Sequence, residues 1–283
     1  MNKECLNKIV VFDLDETLGY FTELGMFWDS FTKFLRDNSL NTHITKYLFY
    51  SILDLFPEFL RPNIINILKY LKKQKEKNKC NKLLIYTNNQ GPRYWAQYII
   101  GYFENKIGAK LFDQIIAAFK VNGKQIEICR TTHSKTHDDL IRCTKIPNNT
   151  QICFVDDVFY PDMANENIYY INIKPYIYDL QFDTMIDRLK KSKIFVELNF
   201  TKNMIMECEK IIQNNLNNYN YNYIEKKYSS QEIDIILSKK ILRHLEIFFG
   251  ENKKTVIKGS PTKKNEFKLN KNKKTLKIRN KLN

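Results

Sequence analysis

The chain has 283 residues, 43% of them hydrophobic, which is enough for one sizeable α/β domain with an appendage. Its net charge is +15 at pH 7, and the last 33 residues hold twelve basic and only two acidic side chains. No apolar run approaches the roughly 18 residues of a membrane-spanning helix, and no apolar leader precedes the first predicted strand, so we expect neither a membrane span nor a signal peptide.

The first predicted strand, residues 8–13, is apolar and ends in acids. Asp13 closes it, and Asp15 follows two residues later. Side chains at i and i+2 of a strand share a face, so both carboxylates can aim into the crevice where open α/β sheets bind ligands. Two close carboxylates repel each other unless a cation or a shared proton intervenes. Carboxylate oxygens suit Mg²⁺, so we predict a magnesium site, with a plain acidic turn as the alternative.

An aromatic-rich segment, residues 19–60, comes next. Phe27, Phe31 and Phe34 recur at i, i+4 and i+7, a spacing that predicts an amphipathic helix. We therefore expect a pair of helices packed on the sheet, followed by a helix over 63–76.

Two more apolar strands end in polar residues. The strand 82–87 ends in Thr87, and the strand 151–155 is followed by Asp156 and Asp157. Around these strands the sequence predicts a helix over 93–106, a hairpin turned by Asn122-Gly123, a helix over 135–144 that begins at Lys135, and a strand over 168–173.

The pattern becomes helical after residue 183. We predict helices over 183–191, 203–216 and 230–249, with Ser230 as the N-cap of the last one. The predicted divisions are an α/β domain over 1–195 with its insert at 19–60, a helical extension over 196–250, and a basic, disordered tail over 251–283. The tail is either a solvated extension or an electrostatic anchor for nucleic acid, an acidic protein or an anionic membrane surface.

The six cysteines show no close pair and no Cys-x-x-Cys motif. We interpret them as reduced thiols, which favours a cytoplasmic or nuclear location, or the equivalent host compartment for a viral protein.

The order acid pair, hydroxyl, lysine, acid pair along residues 5–180 resembles the four motifs of the haloacid dehalogenase superfamily. The resemblance implies an α/β fold: a Rossmann-like three-layer sandwich around a central, mainly parallel sheet, with a small helical insert after the first strand. In that superfamily the insert position holds a cap or specificity element, which is the alternative to a packed helix pair at 19–60.

Within the superfamily, the chain resembles the capless NLI-interacting-factor-like Ser/Thr phosphatases, which dephosphorylate the C-terminal tail of RNA polymerase II. The shared features are Asp-Leu-Asp-Glu-Thr-Leu at 13–18, Arg61-Pro62 before a helix, and Arg130 five residues before Lys135. The chain departs from that pattern with Thr-Asn-Asn at 87–89, with Asp-Asp-Val-Phe at 156–159 and with a long segment between residues 17 and 61. The last departure puts the substrate in doubt.

The resemblance also implies roles for the site residues. Asp13 would be the nucleophile, and Asp15 would protonate the leaving alkoxide and later deprotonate water. Thr87 and the backbone N–H of Asn88 would bind the phosphoryl oxygens, while Lys135 would neutralise the phosphoryl group and keep Asp13 ionised.

The resemblance assigns the metal ligands to Asp13, the backbone carbonyl of Asp15, and the acids Asp156 and Asp157. The sequence does not separate the roles of Asp156 and Asp157, because one would bind the metal directly and the other through water or by bracing Lys135.

Several neighbouring residues offer alternatives. Lys120 and Lys124 are rivals for the lysine role, and Arg130 is interpreted as a rim or structural residue rather than a catalytic one. A cluster of His133, His137 and Asp138 raises a second, zinc-like site, against which we set ordinary polar groups at a helix N-terminus.

We therefore predict an Mg²⁺-dependent phosphomonoester hydrolase that works through an aspartyl-phosphate intermediate, acting on phosphoserine or phosphothreonine in a protein. The alternatives are a phosphatase of nucleic-acid 3′-phosphates or small metabolites, and a non-catalytic binding module with a vestigial site.

Overall fold

Residues 7–219 and 223–251, the part of the chain that the computed structural model describes, form a five-stranded parallel sheet covered by helices on both faces. The strands are β1 (Lys8–Phe12), β2 (Lys82–Tyr86), β3 (Gln114–Ile116), β4 (Lys120–Val121), β5 (Lys124–Gln125), β6 (Gln151–Asp156) and β7 (Ile168–Asn172). The helices are α1 (Thr22–Asp37), α2 (Lys46–Asp54), α3 (Ile64–Glu76), α4 (Arg93–Ile107), α5 (His137–Thr144), α6 (Phe182–Lys191), α7 (Ile194–Glu197), α8 (Lys202–Asn217) and α9 (Tyr228–Phe248).

The sheet order is β3-β2-β1-β6-β7, and each neighbouring pair is parallel. Phe12 lies opposite Ile85 on one side and Val155 on the other, so the carboxyl ends of β1, β2 and β6 are level. This topology confirms the predicted Rossmann-like three-layer α/β fold, and it brings the polar residues after the three central strands to one edge.

The two faces of the sheet are buried in different hydrophobic clusters. Val10 and Phe12 point into the larger cluster, which includes residues of α1, α2, α3, α4, α6, α8 and α9. Ile9 and Val11 point to the opposite face, where Leu140 of α5 packs against them. The alternation of a strand explains this split, since successive side chains point to opposite faces.

The aromatic-rich segment after β1 folds into α1 and α2. Phe27, Phe31 and Phe34 are fully buried in the same cluster as Val10 and Phe12, as their helical spacing predicted. α2 begins after Thr45, whose side chain accepts a hydrogen bond from the Leu48 N–H at 3.2 Å.

The C-terminal helices pack on this core. α8 lies against α1 and α6, and α9 lies against α3 and β7. The described residues belong to one compact unit that ends at Glu251, whose carboxylate bonds Tyr70, Gln74 and Lys79. The predicted domain boundary near residue 195 stays a prediction, and the basic tail after Glu251 lies outside the described residues.

Two predicted helix starts are wrong by two residues. The last helix begins at Tyr228 rather than Ser230, because the Lys227 carbonyl accepts hydrogen bonds from Ser230 and Gln231. α5 begins at His137, so Lys135 precedes the helix; the N-cap is Thr136, whose side chain accepts a hydrogen bond from the Asp139 N–H.

The predicted hairpin is confirmed. β4 and β5 pair antiparallel, and the turn between them places Asn122 at φ 49° and Gly123 at φ 77°. Two successive residues with positive φ are typical of the type I′ turn that Asn-Gly favours.

The prediction of reduced cysteines is wrong for one pair. Cys129 and Cys143, 14 residues apart, form a disulfide because the loop before α5 folds back onto the end of that helix and brings their Cα atoms to 5.0 Å. Cys80, Cys153 and Cys208 are free and buried.

None of the helices in the described ranges is both long enough and apolar enough to span a membrane.

Candidate active site

The loop after β1 is held by a buried arginine. Asp13 continues the sheet ladder, with its N–H bonded to the Val155 carbonyl at 2.9 Å. The chain then turns at Glu16, which adopts φ 58°. Arg61 is 1% exposed and donates to the Glu16 and Thr17 carbonyls at 2.5 and 2.6 Å. Arg61, recognised in the sequence only by resemblance, therefore fixes the turn that carries Asp13 and its neighbours.

Lys135 links the carboxyl ends of β1 and β6. Its ammonium lies 2.5 Å from Asp13 Oδ1 and 2.7 Å from Asp156 Oδ2, with all three side chains buried. Burial alone would lower the pKa of Lys135, but the two carboxylates outweigh burial and raise that pKa above its usual value. Lys135 is therefore a fixed positive charge between two acids from different strands.

Arg130 positions the segment that leads to Lys135. It is buried and donates to the Thr87 carbonyl at 3.1 Å and the Ala117 carbonyl at 2.9 Å. It also donates to the carbonyls of His133 and Ser134, both at 3.1 Å. Its role is structural, because these four hydrogen bonds go to backbone carbonyls and connect the end of β2 to the loop that carries Lys135.

Three carboxylates gather beside Lys135. One oxygen each from Asp13, Asp156 and Asp157 lies within 4.8 Å of the others. Thr17 donates its hydroxyl to Asp157 Oδ1 at 3.0 Å, and burial followed by the charge of Asp13 raises the pKa of Asp157. Three carboxylates face one ammonium group, so the cluster keeps an excess of negative charge. These hard oxygen donors fit a small divalent cation.

Asp15 is separate from this cluster. Its Oδ2 accepts a hydrogen bond from the Asn89 side-chain amide at 2.7 Å. Burial is the largest influence and raises the pKa of Asp15 to about 6, against the opposing effect of the Asn89 hydrogen bond. A carboxyl group with this pKa can hold or release a proton near neutral pH.

Asn89 is a site residue that sequence reasoning missed. Its N–H donates to Thr87 Oγ1 at 3.0 Å, and its side-chain oxygen accepts the Gly91 N–H at 2.8 Å. A Cβ added at Gly91 would lie 2.8 Å from that same Asn89 oxygen. The sequence did contain a signal for Asn89, because Thr-Asn-Asn at 87–89 departs from the pattern of the phosphatases that the chain resembles. This departure places an amide where it can orient Asp15.

The cleft between these residues has a volume of about 290 Å³. Tyr160, also missed by sequence reasoning, closes one side, because its hydroxyl accepts a hydrogen bond from the Asn88 side chain at 3.1 Å. The predicted site residues all line the cleft: Asp13, Asp15, Thr87, Asn88, Lys135, Asp156 and Asp157.

The rival lysines and the possible zinc ligands do not line the cleft. Lys120 and Lys124 lie on the β4–β5 hairpin, and neither bonds Asp13 or Asp156. His137 and Asp138 are 3.7 Å apart, but no third ligand from the described residues joins them or His133. In the described part of the chain, the acidic trio is the one group of three or more Asp, Glu, His or Cys residues close enough to hold an ion.

Comparison of the chain with protein-family models, with curated proteins and with solved structures finds no match.

Proposed function

We propose that the chain is a metal-dependent phosphomonoester hydrolase with the chemistry of the haloacid dehalogenase superfamily. The observation that carries this proposal is the buried Lys135, which joins Asp13 and Asp156 from two adjacent strand ends while Asp15 faces the same cleft. A buried ion pair is costly unless its partners are held together, and this arrangement supplies a nucleophile, a proton donor and a phosphate-binding cation at one point.

In the first step Asp13 attacks the phosphorus atom, and the bond from phosphorus to the ester oxygen breaks. Asp15, held by Asn89, donates its proton to the departing oxygen. The phosphoryl group is then bonded to the Asp13 carboxylate.

In the second step a water molecule attacks the phosphorus atom. Asp15 takes the proton from that water, inorganic phosphate leaves, and the Asp13 carboxylate is restored. Lys135 offsets the negative charge of the phosphoryl oxygens throughout. Thr87 Oγ1 accepts a hydrogen bond from the Asn89 N–H, and the Thr87 O–H can rotate to donate to a phosphoryl oxygen.

We propose Mg²⁺ as the cofactor, held by Asp13, Asp156 and Asp157 and the Asp15 carbonyl; it would supply charge neutralisation for an anionic substrate that meets an anionic nucleophile. The substrate we propose is phosphoserine or phosphothreonine in a protein. A nucleic-acid 3′-phosphate or a small metabolite would use the same residues. A vestigial binding module is the weaker alternative, because every acid and the lysine are in place.

The basic tail is proposed to bind nucleic acid or an acidic partner through its charge. A cytoplasmic or nuclear location stays a proposal. The Cys129–Cys143 disulfide weakens the argument for it, because disulfides persist mainly in oxidising compartments.

The test is hydrolysis of p-nitrophenyl phosphate by the full chain, before and after chelation and with Mg²⁺ restored. We expect activity that disappears with the metal and returns with it. Asp13→Asn should abolish turnover, and Asp15→Asn should slow it by roughly 10²–10⁴-fold. Asp37→Asn, on the exposed part of α1, is the matched control. Metal-independent turnover, or an Asp13→Asn enzyme within tenfold of wild type, would overturn the proposal.

A further inference from the structure

Three cavities meet at Asn89. The catalytic cleft shares Thr87 and Asn89 with a cavity of about 710 Å³, and it shares Asp15 and Asn89 with another of about 300 Å³. The two side cavities also share Gly91 and Pro92. A phosphoryl group over Asp13 would therefore sit where two grooves join, with room for covalently attached chain on both sides.

The larger cavity, here the hairpin-side cavity, lies between the start of α4 and the β4–β5 hairpin. Arg93 and Lys124 contribute basic side chains to it. Glu127 also lines it, but the Glu127 carboxylate accepts a hydrogen bond from the Ala117 N–H at 3.2 Å. The hairpin-side cavity therefore carries an excess of positive charge.

The smaller cavity, here the helix-side cavity, lies between α1 and the start of α4 and has the opposite character. Asp15 and Asp29 line it, and no Lys or Arg does among the described residues. Asp29 forms no ion pair within 4.0 Å in the described part of the chain, although the positive charge of the more distant Arg36 attracts its carboxylate. Four other lining residues are aromatic: Phe21, Tyr94, Trp95 and Tyr219.

A carboxylate beside aromatic rings is a favourable environment for a cationic side chain, and Tyr94 and Tyr219 are the rings of this wall that keep exposed surface. The ring faces attract a cation through their quadrupole, and the carboxylate adds direct charge attraction. The same acids would repel the phosphates of a nucleic acid. A 3′-phosphate ends its chain, so an oligonucleotide would extend to one side only, whereas a phosphorylated residue inside a protein has chain on both sides.

We infer that the helix-side cavity binds a Lys or Arg side chain of the protein substrate close to the phosphorylated residue. This inference rests on the proposed phosphatase function and adds a specificity subsite to the same site. Asp29 is its specificity-determining residue, and the hairpin-side cavity accepts the chain on the other side of the phosphate.

The experiment uses phosphothreonine peptides of otherwise neutral sequence, each with a single lysine placed from three residues before to three residues after the phosphothreonine. The full chain should prefer one or two lysine positions by about five- to tenfold in kcat/KM, chiefly through KM. Asp29→Asn should reduce that preference ratio to near unity, and Asp29→Lys should replace it with a preference for glutamate at the same position. Asp37→Asn, also on α1 but paired with Lys33 outside the cavity, should keep the wild-type ratio.

The outcomes separate the two proposals. If p-nitrophenyl phosphate is hydrolysed but no lysine position is preferred, or Asp29→Asn keeps the preference, the inference fails while the phosphatase function stands. If 3′-phosphorylated oligonucleotides are turned over faster than every peptide, the substrate class is overturned. If no aryl phosphate is hydrolysed, the proposed function itself fails.

Discussion

Replacing Lys135 by methionine tests whether the cleft is held together by its buried ion pairs. Methionine preserves most of the side-chain volume but removes the charge, leaving the carboxylates of Asp13 and Asp156 close together without their shared cation. Removing one partner of a buried ion pair costs about 3–5 kcal/mol. For a chain of this size, roughly 2–4 °C per kcal/mol is expected, so the melting temperature should fall by about 6–20 °C.

The matched control is Lys33→Met in α1. Lys33 lies 2.5 Å from Asp37, the same separation as Lys135 from Asp13. The difference is burial, since the Lys33 side chain is 55% exposed and the Lys135 side chain is 1% exposed. An exposed i, i+4 pair contributes about 0.3–0.5 kcal/mol, so the control should melt within about 2 °C of wild type.

The assay is thermal unfolding of the three proteins in chelator and in millimolar Mg²⁺. A divalent cation that binds the folded state raises its stability, and it also supplies the charge that Lys135→Met lacks. The increase on adding Mg²⁺ should therefore be larger for Lys135→Met than for wild type. A second change, Asp156→Asn, should recover part of the lost stability in chelator by removing one carboxylate. Equal melting temperatures for Lys135→Met and Lys33→Met would refute the reasoning.

Three further predictions concern Gly91, the Cys129–Cys143 disulfide and the basic tail. Gly91→Ala should lower kcat about tenfold or more with little change in unfolding, because the new Cβ would lie 2.8 Å from the Asn89 oxygen and displace the amide that orients Asp15; an unchanged kcat would show that Asn89 is dispensable. Replacing Cys129 and Cys143 together by serine should cost about 3 kcal/mol in oxidising urea titrations, the value for a loop of this length, and reduced wild type should unfold at the same urea concentration as the double variant. Truncation after Glu251 should leave aryl phosphate turnover unchanged, because the compact unit ends there. The same truncation should flatten the salt dependence of oligonucleotide binding, because each phosphate contact contributes about −0.7 to −0.9 to the slope of the log binding constant against log salt concentration. Equal slopes for the full-length and truncated chains would show that the tail does not bind the oligonucleotide.

The sequence by itself determined the central strands and the edge of the sheet where the cleft lies. Apolar runs at 9–12 and 152–155 are typical of buried strands, and each is followed at once by acids. Because neighbouring parallel strands of equal register end at the same edge, the acids after β1 and β6 approach each other once the two strands pair. Asn122-Gly123 likewise determined its turn, since the two residues that tolerate positive φ best stand next to each other.

Only the tertiary structure decided the contacts that orient the site. The sequence alone left Lys120 and Lys124 as rivals of Lys135, which is distant in sequence from Asp13 and Asp156. In the structure α5 packs against one face of the sheet, and Lys135, just before α5, lies between the two acids. The Asn89 bond to Asp15 and the Cys129–Cys143 disulfide join segments whose separation in space depends on how loops close over the sheet. Local patterns carry the periodicity of strands and helices, whereas loop contacts depend on the whole packed chain, and for that reason the strand ends were predictable and the orientation of Asp15 was not.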